Sequence, residues 1–156
     1  MRRRQILTAS AMAMAGLAGC TGGDSTNEAG SESSPVVTTV EEFYTTLYDD
    51  NDIEAANSMY HPDTESRDIR PSDFERYGGI ESISASVYST EVVSQTDSTA
   101  RVHVTVGYST PVGSATNEDW FTMRKNDGEW RVDYYLSDEA RSGMSQEAID
   151  DIMNQS

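Results

Sequence analysis

The chain has 156 residues, and its 27 acidic against 11 basic residues give a formal net charge of −16. A surface this acidic repels nucleic acid and anionic lipid, so neither is expected as a direct partner of the folded part. With a single cysteine, the fold has no internal disulfide and depends on its hydrophobic core.

The first twenty residues have the pattern of an export signal. Arg2-Arg3-Arg4 precede an apolar stretch of twelve residues, 6–17, which ends shortly before Cys20. A stretch of this length falls short of the ~20 residues that span a bilayer as a helix. A basic start, a short apolar segment and small residues at its end predict a signal peptide over 1–19.

Two motifs in this segment resemble known targeting motifs. Leu17-Ala18-Gly19-Cys20 resembles the lipobox of exported lipoproteins, and Arg3-Arg4-Gln5-Ile6-Leu7 resembles the twin-arginine export motif. The first resemblance implies cleavage before Cys20, a lipid on its thiol and a place on the outer face of the cell membrane. An ordinary Sec signal with one extra arginine, and an unmodified buried thiol, are the alternatives.

The acidic excess also suggests a habitat. Lys125 is the only lysine, and removing Arg2, Arg3 and Arg4 with the signal changes the formal charge from −16 to −19. This composition resembles that of proteins from salt-loving archaea. Because concentrated salt shortens the screening length to a few Å, it relieves the self-repulsion of such a surface. We therefore expect the domain to loosen in dilute buffer.

The remainder divides into a tether, a domain and a tail. Residues 20–34 lack apolar periodicity and predict a flexible tether. Apolar side chains with helical spacing then predict one helix; they are Val36, Val40, Phe43 and Leu47, widened by Val37, Tyr44 and Tyr48. A second helix is expected after a cap at Asn51 or Asp52. A short third one has a capping box of Ser72 and Glu75, and Gly78-Gly79 ends it.

From Ile80 onwards the period changes to two, which predicts four strands. The second strand alternates through Val102, Val104, Val106 and Tyr108, and the third begins near Phe121. Asn126-Asp127-Gly128 predicts a tight hairpin turn into the fourth strand. There Trp130, Val132 and Tyr134 are expected to face inward. Residues 137–156 are predicted to form a polar, partly helical tail.

This order of elements is α+β and resembles the NTF2-like fold, a cone in which a curved antiparallel sheet wraps around N-terminal helices. Three stretches carry the resemblance: Val40 to Tyr48, Asp52 to Asp63, and Asp127-Gly128-Glu129-Trp130-Arg131-Val132. It covers residues 35–136 and implies a pocket at the wide end of the cone and pairing of subunits through the convex face. The fold hosts isomerases, dehydratases and binding modules, so it does not select a function.

Five aromatic side chains are the candidates for lining a pocket. They are Tyr44, Tyr48, Tyr60, Trp130 and Tyr134, and the simpler interpretation is that they form the core. Asp133 is expected to point outward, so that no acid lies inside the cone, which disfavours catalysis. Trp120 is expected on the outer face, where it suggests a homodimer contact.

Other chemistry has little support in the sequence. His61 and Asp63 are too few for a metal site, and His103 is placed on the outer sheet surface. The acidic run at 49–52 lacks the glycine and final glutamate of a calcium-binding EF-hand loop. No cofactor or metal is expected.

The sequence thus favours a lipid-anchored, noncatalytic module that binds a small ligand or assembles with a partner. An isomerase- or dehydratase-type enzyme that uses acid–base groups inside the cone is the alternative.

Overall fold

The computed structural model describes residues 34–154, all of which lie in one compact unit. The predicted signal peptide, Arg3, Arg4, Cys20 and the tether up to residue 33 lie outside the described residues. The regular helices are α1 (Pro35–Tyr44), α2 (Ile53–Ser58), α3 (Asp138–Ser142) and α4 (Gln146–Asn154), and the strands are β1 (Ser84–Gln95), β2 (Thr99–Thr110), β3 (Gly113–Asn126) and β4 (Glu129–Leu136). None of the helices in residues 34–154 is both long and apolar enough to cross a membrane.

The first predicted helix is present, but its last part is π-helical and not α-helical. α1 begins with Pro35 in the first turn, where a missing N–H costs nothing, and passes into a π-helical turn over Thr45–Asp49. The wider turn lets the buried side chains continue through Leu47 and Tyr48. π-Turns of this kind often occur at functional sites, and this one delivers two side chains to the wide end of the cone.

The second helix resolves the choice of cap. The Asp52 Oδ1 accepts a hydrogen bond from the Ala55 N–H at 2.9 Å, so Asp52 caps α2, while Asn51 takes the left-handed conformation that precedes it (φ 55°). The predicted capping box of Ser72 and Glu75 is wrong.

The third short helix is a 3₁₀ helix over Pro71–Tyr77, and the Asp73 side chain accepts the Arg70 N–H at 3.0 Å. Asp73 therefore takes the capping role that was predicted for Glu75. Gly78 (φ 91°) and Gly79 (φ 109°) end this helix as predicted, because both need positive φ.

The four strands form one antiparallel sheet in the order β1-β2-β3-β4. A 3₁₀ turn over Ile80–Ser82 takes the place of the predicted start of β1. The hairpin between β3 and β4 is confirmed: Asp127 and Gly128 both have positive φ, as a type I′ turn requires. β3 begins at Gly113, eight residues before the predicted start near Phe121.

A bulge in β4 corrects the predicted inward face of that strand. Thr122 pairs with Tyr134, yet Met123 pairs with Val132, so Asp133 is an extra residue opposite neither. A bulge of one residue reverses the alternation beyond it. Tyr134 therefore does not continue the inward series of Trp130 and Val132, and Tyr135 packs against the core instead.

The core lies between the helices and the inner face of the sheet. α1 contributes Val36, Val40 and Phe43, and β2 contributes Val102, Val104 and Val106, all of them fully buried. Helices packed on a four-stranded antiparallel sheet confirm the predicted α+β, NTF2-like arrangement. The bulges in β1 and β4 bend the sheet around the helices.

The C-terminal tail is more closely attached to the domain than the sequence suggested. α3 is capped by Ser137, whose hydroxyl accepts the Ala140 N–H at 3.2 Å. α4 lies near β2, where an Arg101 guanidinium nitrogen donates to the Met153 carbonyl at 3.4 Å. The segment after Leu136 thus contributes to the site described next.

Candidate ligand cavity

A cavity of about 770 Å³ opens at the wide end of the cone. Its walls come from the π-turn after α1, the loop and 3₁₀ helix between α2 and β1, the ends of β2 and β3, and α3. The apolar side chains lining it are Leu47, Tyr48, Tyr60, Ile69, Phe74, Tyr77, Ile83, Tyr108, Val112, Ala115, Tyr135 and Ala140. This size and lining are typical of sites that enclose a small organic molecule.

A buried carboxylate lies behind the floor of this cavity, which is formed by the hydroxyl ends of Tyr108 and Tyr135. Asp119 on β3 is fully buried, and its Oδ2 accepts hydrogen bonds from the hydroxyls of Tyr44 (2.8 Å), Tyr108 (2.6 Å) and Tyr135 (3.0 Å). Its Oδ1 accepts the Asp138 backbone N–H at 3.1 Å, which fixes the start of α3. We call Asp119 and these three tyrosines the carboxylate–tyrosine cluster.

All the phenol protons of the cluster are used within it. Each hydroxyl has one proton, and each lies within hydrogen-bonding distance of Asp119; the hydroxyls of Tyr108 and Tyr135 are also 2.9 Å apart. Whether Tyr135 donates to the carboxylate or to Tyr108, no proton remains for the cavity. The phenol oxygens of Tyr108 and Tyr135 keep free lone pairs, and both residues line the cavity.

Burial keeps these phenols neutral. Loss of hydration is the largest cause that raises the pKa of Tyr44, Tyr108 and Tyr135 well above 10, and neighbouring tyrosines and Asp119 raise it further. Burial also raises the pKa of Tyr48 to about 12. None of these groups is a base at neutral pH, so the cavity floor offers neutral hydroxyl oxygens.

The side wall is held in place by one amide. Asn57 on α2 donates from its Nδ2 to the Ile69 carbonyl at 2.8 Å and accepts the Ile69 N–H on its Oδ1 at 2.9 Å. These two hydrogen bonds hold the long loop between α2 and the 3₁₀ helix against α2. The wall carrying Arg67, Asp68 and Ile69 is thereby positioned over the cavity.

The charges at the cavity mouth are mostly paired. Arg67 contacts both carboxylate oxygens of Asp73 at 3.0 and 3.1 Å, and Arg76 pairs with Glu139 of α3. The second pair joins the 3₁₀ helix to α3 across the mouth. Including Asp68, three carboxylates and two guanidiniums line the cavity, and Asp119 adds a further negative charge behind it.

The five residues that were predicted to line a pocket do not all line one cavity. Tyr48 and Tyr60 line the cavity, and Tyr44 lies behind its floor as a member of the carboxylate–tyrosine cluster. Trp130 lines a separate depression beside Pro35 and Met59, and the Lys125 ammonium lies 5.0 Å from the centre of its ring. Tyr134 lies on the other side of the sheet, near Glu65 and Arg124.

The histidines serve local structure. His61 is buried, its ring Nδ1 accepts the Asp63 backbone N–H at 3.1 Å, and its backbone N–H donates to the Val132 carbonyl at 2.7 Å. His103 stacks on Trp120 at 4.6 Å between ring centres on the outer sheet face. Within residues 34–154, no group of three or more His, Cys, Asp or Glu side chains is arranged to hold a metal.

Asp119 is the residue that the sequence analysis missed, and the expectation that no acid lies inside the cone is wrong. Asp133, the bulge residue of β4, is buried and does not line the cavity; it accepts a hydrogen bond from an Arg124 guanidinium nitrogen at 2.7 Å. The signal for Asp119 was its position two residues before Phe121, on the same inward face of β3. Starting β3 near Phe121 left it outside the alternation.

Comparison with known proteins adds little beyond the fold. No family model matches the chain, and no curated protein matches it. A solved uncharacterised protein with a cystatin-like fold from Caulobacter vibrioides is 16% identical and has a TM-score of 0.47, with 74% of this chain and 92% of that chain covered.

A proposed aromatic ring hydroxylase from Novosphingobium aromaticivorans is 12% identical and has a TM-score of 0.43, with 65% of this chain and 86% of that chain covered. Likenesses at this level carry no argument about the chemistry of the cavity.

Proposed function

We propose that this protein binds a small organic molecule in the cavity without transforming it, and that a lipid on Cys20 holds it at the outer face of the membrane. The observation that carries the binding function is a cavity of about 770 Å³ that is lined by aromatic and apolar side chains together with polar and charged ones that can orient a ligand. A hollow cone favours ligand binding over assembly, because assembly through an outer surface needs no cavity.

The hydrogen bonding of Asp119 argues against acid–base catalysis. The Asp119 Oδ2 already accepts hydrogen bonds from three phenols, and its Oδ1 accepts one from a backbone N–H. A general base needs a free lone pair within reach of the substrate, and Asp119 does not line the cavity. The phenols of Tyr44, Tyr108 and Tyr135 have no free proton to donate either.

An enzyme remains the second candidate, because a carboxyl group beside tyrosines inside the cone is what acid–base catalysis would require. Incubation of the chain in D₂O with a small aromatic ketone such as acetophenone distinguishes the two functions. A binding module leaves the methyl protons in place. Deuterium incorporation that depends on the chain and disappears in Asp119→Asn would establish the enzyme instead.

The binding function can be tested by filling the cavity. Ala115 lines the cavity, whereas its neighbour Thr116 lies on the opposite face of β3. We expect phenethylamine, 2-phenylethanol or phenylacetate, tested by ligand-observed NMR, to bind the native chain. Ala115→Trp should abolish the signal and Thr116→Trp should keep it. If none of the probes binds the native chain, or if both variants behave alike, the cavity is not a binding site.

The anchor is tested by replacing Cys20, which lies outside the described residues. Cleavage before Cys20 and addition of a diacyl lipid would give a mature N-terminus with added hydrocarbon mass, and two chains give stable attachment. Cys20→Ser should release the protein from cells or leave it uncleaved. Mass spectrometry of a membrane-extracted N-terminus that begins elsewhere, or that has no added lipid, would contradict the proposal. Export through Arg3 and Arg4, and a homodimer through the outer sheet face, stay predictions.

A further inference from the structure

We propose that the cavity selects organic amines: a ligand with a protonated ammonium group directed at the floor and an apolar or aromatic body. This inference rests on the proposed binding function and adds the ligand's chemical class. It follows from the direction of the hydrogen bonds in the carboxylate–tyrosine cluster, from the charge behind them and from the aromatic walls.

The hydrogen bonds give the floor its polarity. Because the protons of Tyr44, Tyr108 and Tyr135 are used to satisfy Asp119 and one another, the phenol oxygens of Tyr108 and Tyr135 present lone pairs and no proton to the cavity. A ligand that ends in a carboxylate or carbonyl would place its acceptors against those of Tyr108 and Tyr135. A ligand that ends in an ammonium group has three donors to place there.

The charge of Asp119 acts in the same direction. The Asp119 Oδ2 lies 2.6 Å behind the Tyr108 oxygen and 3.0 Å behind the Tyr135 oxygen, so its negative charge is one hydrogen bond away from the floor. The carboxylate is fully buried, and its hydrogen-bond partners in the described part of the chain are three phenols and one backbone N–H, none of them cationic. A positive ligand group within a few Å is attracted strongly in such surroundings, and an anionic group is repelled.

The mouth does not offset this preference. The guanidinium groups of Arg67 and Arg76 already pair with Asp73 and Glu139, so a ligand carboxylate would have to displace an existing partner. Aromatic rings line the walls between floor and mouth: Tyr48, Tyr60, Phe74, Tyr77, Tyr108 and Tyr135. The faces of such rings attract organic cations, and their area buries an apolar ligand body.

Three probes of similar size and different terminal groups test the inference on the full chain. Phenethylamine ends in an ammonium group, 2-phenylethanol in a neutral hydroxyl, and phenylacetate in a carboxylate. We expect titration calorimetry to give an affinity at least about tenfold higher for phenethylamine than for phenylacetate, with phenylethanol between them. The preference should persist in concentrated salt, because buried charges are screened much less than exposed ones.

A pair of neighbouring tyrosines provides the variant and its control. Tyr135→Phe removes one acceptor from the floor and should lower phenethylamine affinity by about fivefold or more, with little change for phenylacetate. Tyr134→Phe, on the opposite face, should leave the affinity for all three probes unchanged. Tyr108→Phe is the second test of the same floor if Tyr135→Phe does not fold.

The outcomes separate the two proposals. If all three probes bind with similar affinity, or if phenylacetate binds most tightly, the cavity binds ligands but the amine preference is wrong. If the preference for phenethylamine is lost in concentrated salt, or if it survives in the floor variants Tyr135→Phe and Tyr108→Phe, it arises from the acidic surface. The inference about the floor is then wrong. If no probe binds, the proposed function fails as well.

Discussion

Replacement of Asp119 by asparagine tests the central physical claim, which is that the buried charge of Asp119 organises the cavity floor. The substitution keeps the size of the side chain and removes its charge. The asparagine amide can be oriented in two ways. If its oxygen points toward the phenols, its NH₂ group faces the Asp138 N–H, so that two hydrogen-bond donors oppose each other. With the amide reversed, the three phenols lose the acceptor that they share.

The cost can be estimated from these contacts. Hydrogen bonds to a charged group contribute about 1.5–3 kcal/mol and neutral ones about 0.5–1.5, so three phenol bonds lose roughly 3 kcal/mol together. The unpaired Asp138 N–H adds about 1 kcal/mol or more, and relief from burying a charge offsets part of the sum. We therefore expect Asp119→Asn to lower the free energy of unfolding by about 3 kcal/mol.

Urea denaturation in concentrated salt measures this change. Glu118→Gln is the matched control, because it removes a negative charge from the adjacent, exposed position of β3 and reports the effect of net charge alone. We expect the control to change the free energy of unfolding by less than about 0.5 kcal/mol. An Asp119→Asn variant as stable as the control would refute the claim that the charged carboxylate holds the three phenols.

Two further predictions concern pH and the cap of α2. Because burial raises the pKa of Tyr48 from 10 to about 12, its contribution is complete below pH 10 and is lost as the pH rises toward 12. Over that window Tyr48→Phe should reduce the pH dependence of the free energy of unfolding by about 1.4 kcal/mol per pH unit, and urea melts that give equal slopes for variant and native chain would contradict this. Asp52→Ala should lower the free energy of unfolding by about 1 kcal/mol because the Ala55 N–H loses its acceptor, while Asp50→Ala should be nearly neutral; equal effects in thermal melts would show that Asp52 is not the cap.

Local patterns in the sequence predicted most of the elements, since each depended on neighbouring residues. The alternation of Val102, Val104 and Val106 predicted a half-buried strand, and Asp127-Gly128 predicted the hairpin turn from the need for positive φ. One failure occurred where an extra residue changed the period of a strand. The bulge at Asp133 exchanged Tyr134 for Tyr135 on the inner face, and no local feature of the strand marked that position.

By itself, the sequence determined the α+β order, the position of the hairpin and the inward face of β2, because periodicity and turn chemistry are properties of short segments. Only the tertiary structure decided that Tyr44, Tyr108 and Tyr135, from three separate elements, share one buried carboxylate. A hydrogen bond between residues 75 positions apart, as between Tyr44 and Asp119, depends on how the sheet bends over the helices. That bend places neutral phenol oxygens at the cavity floor with a negative charge behind them.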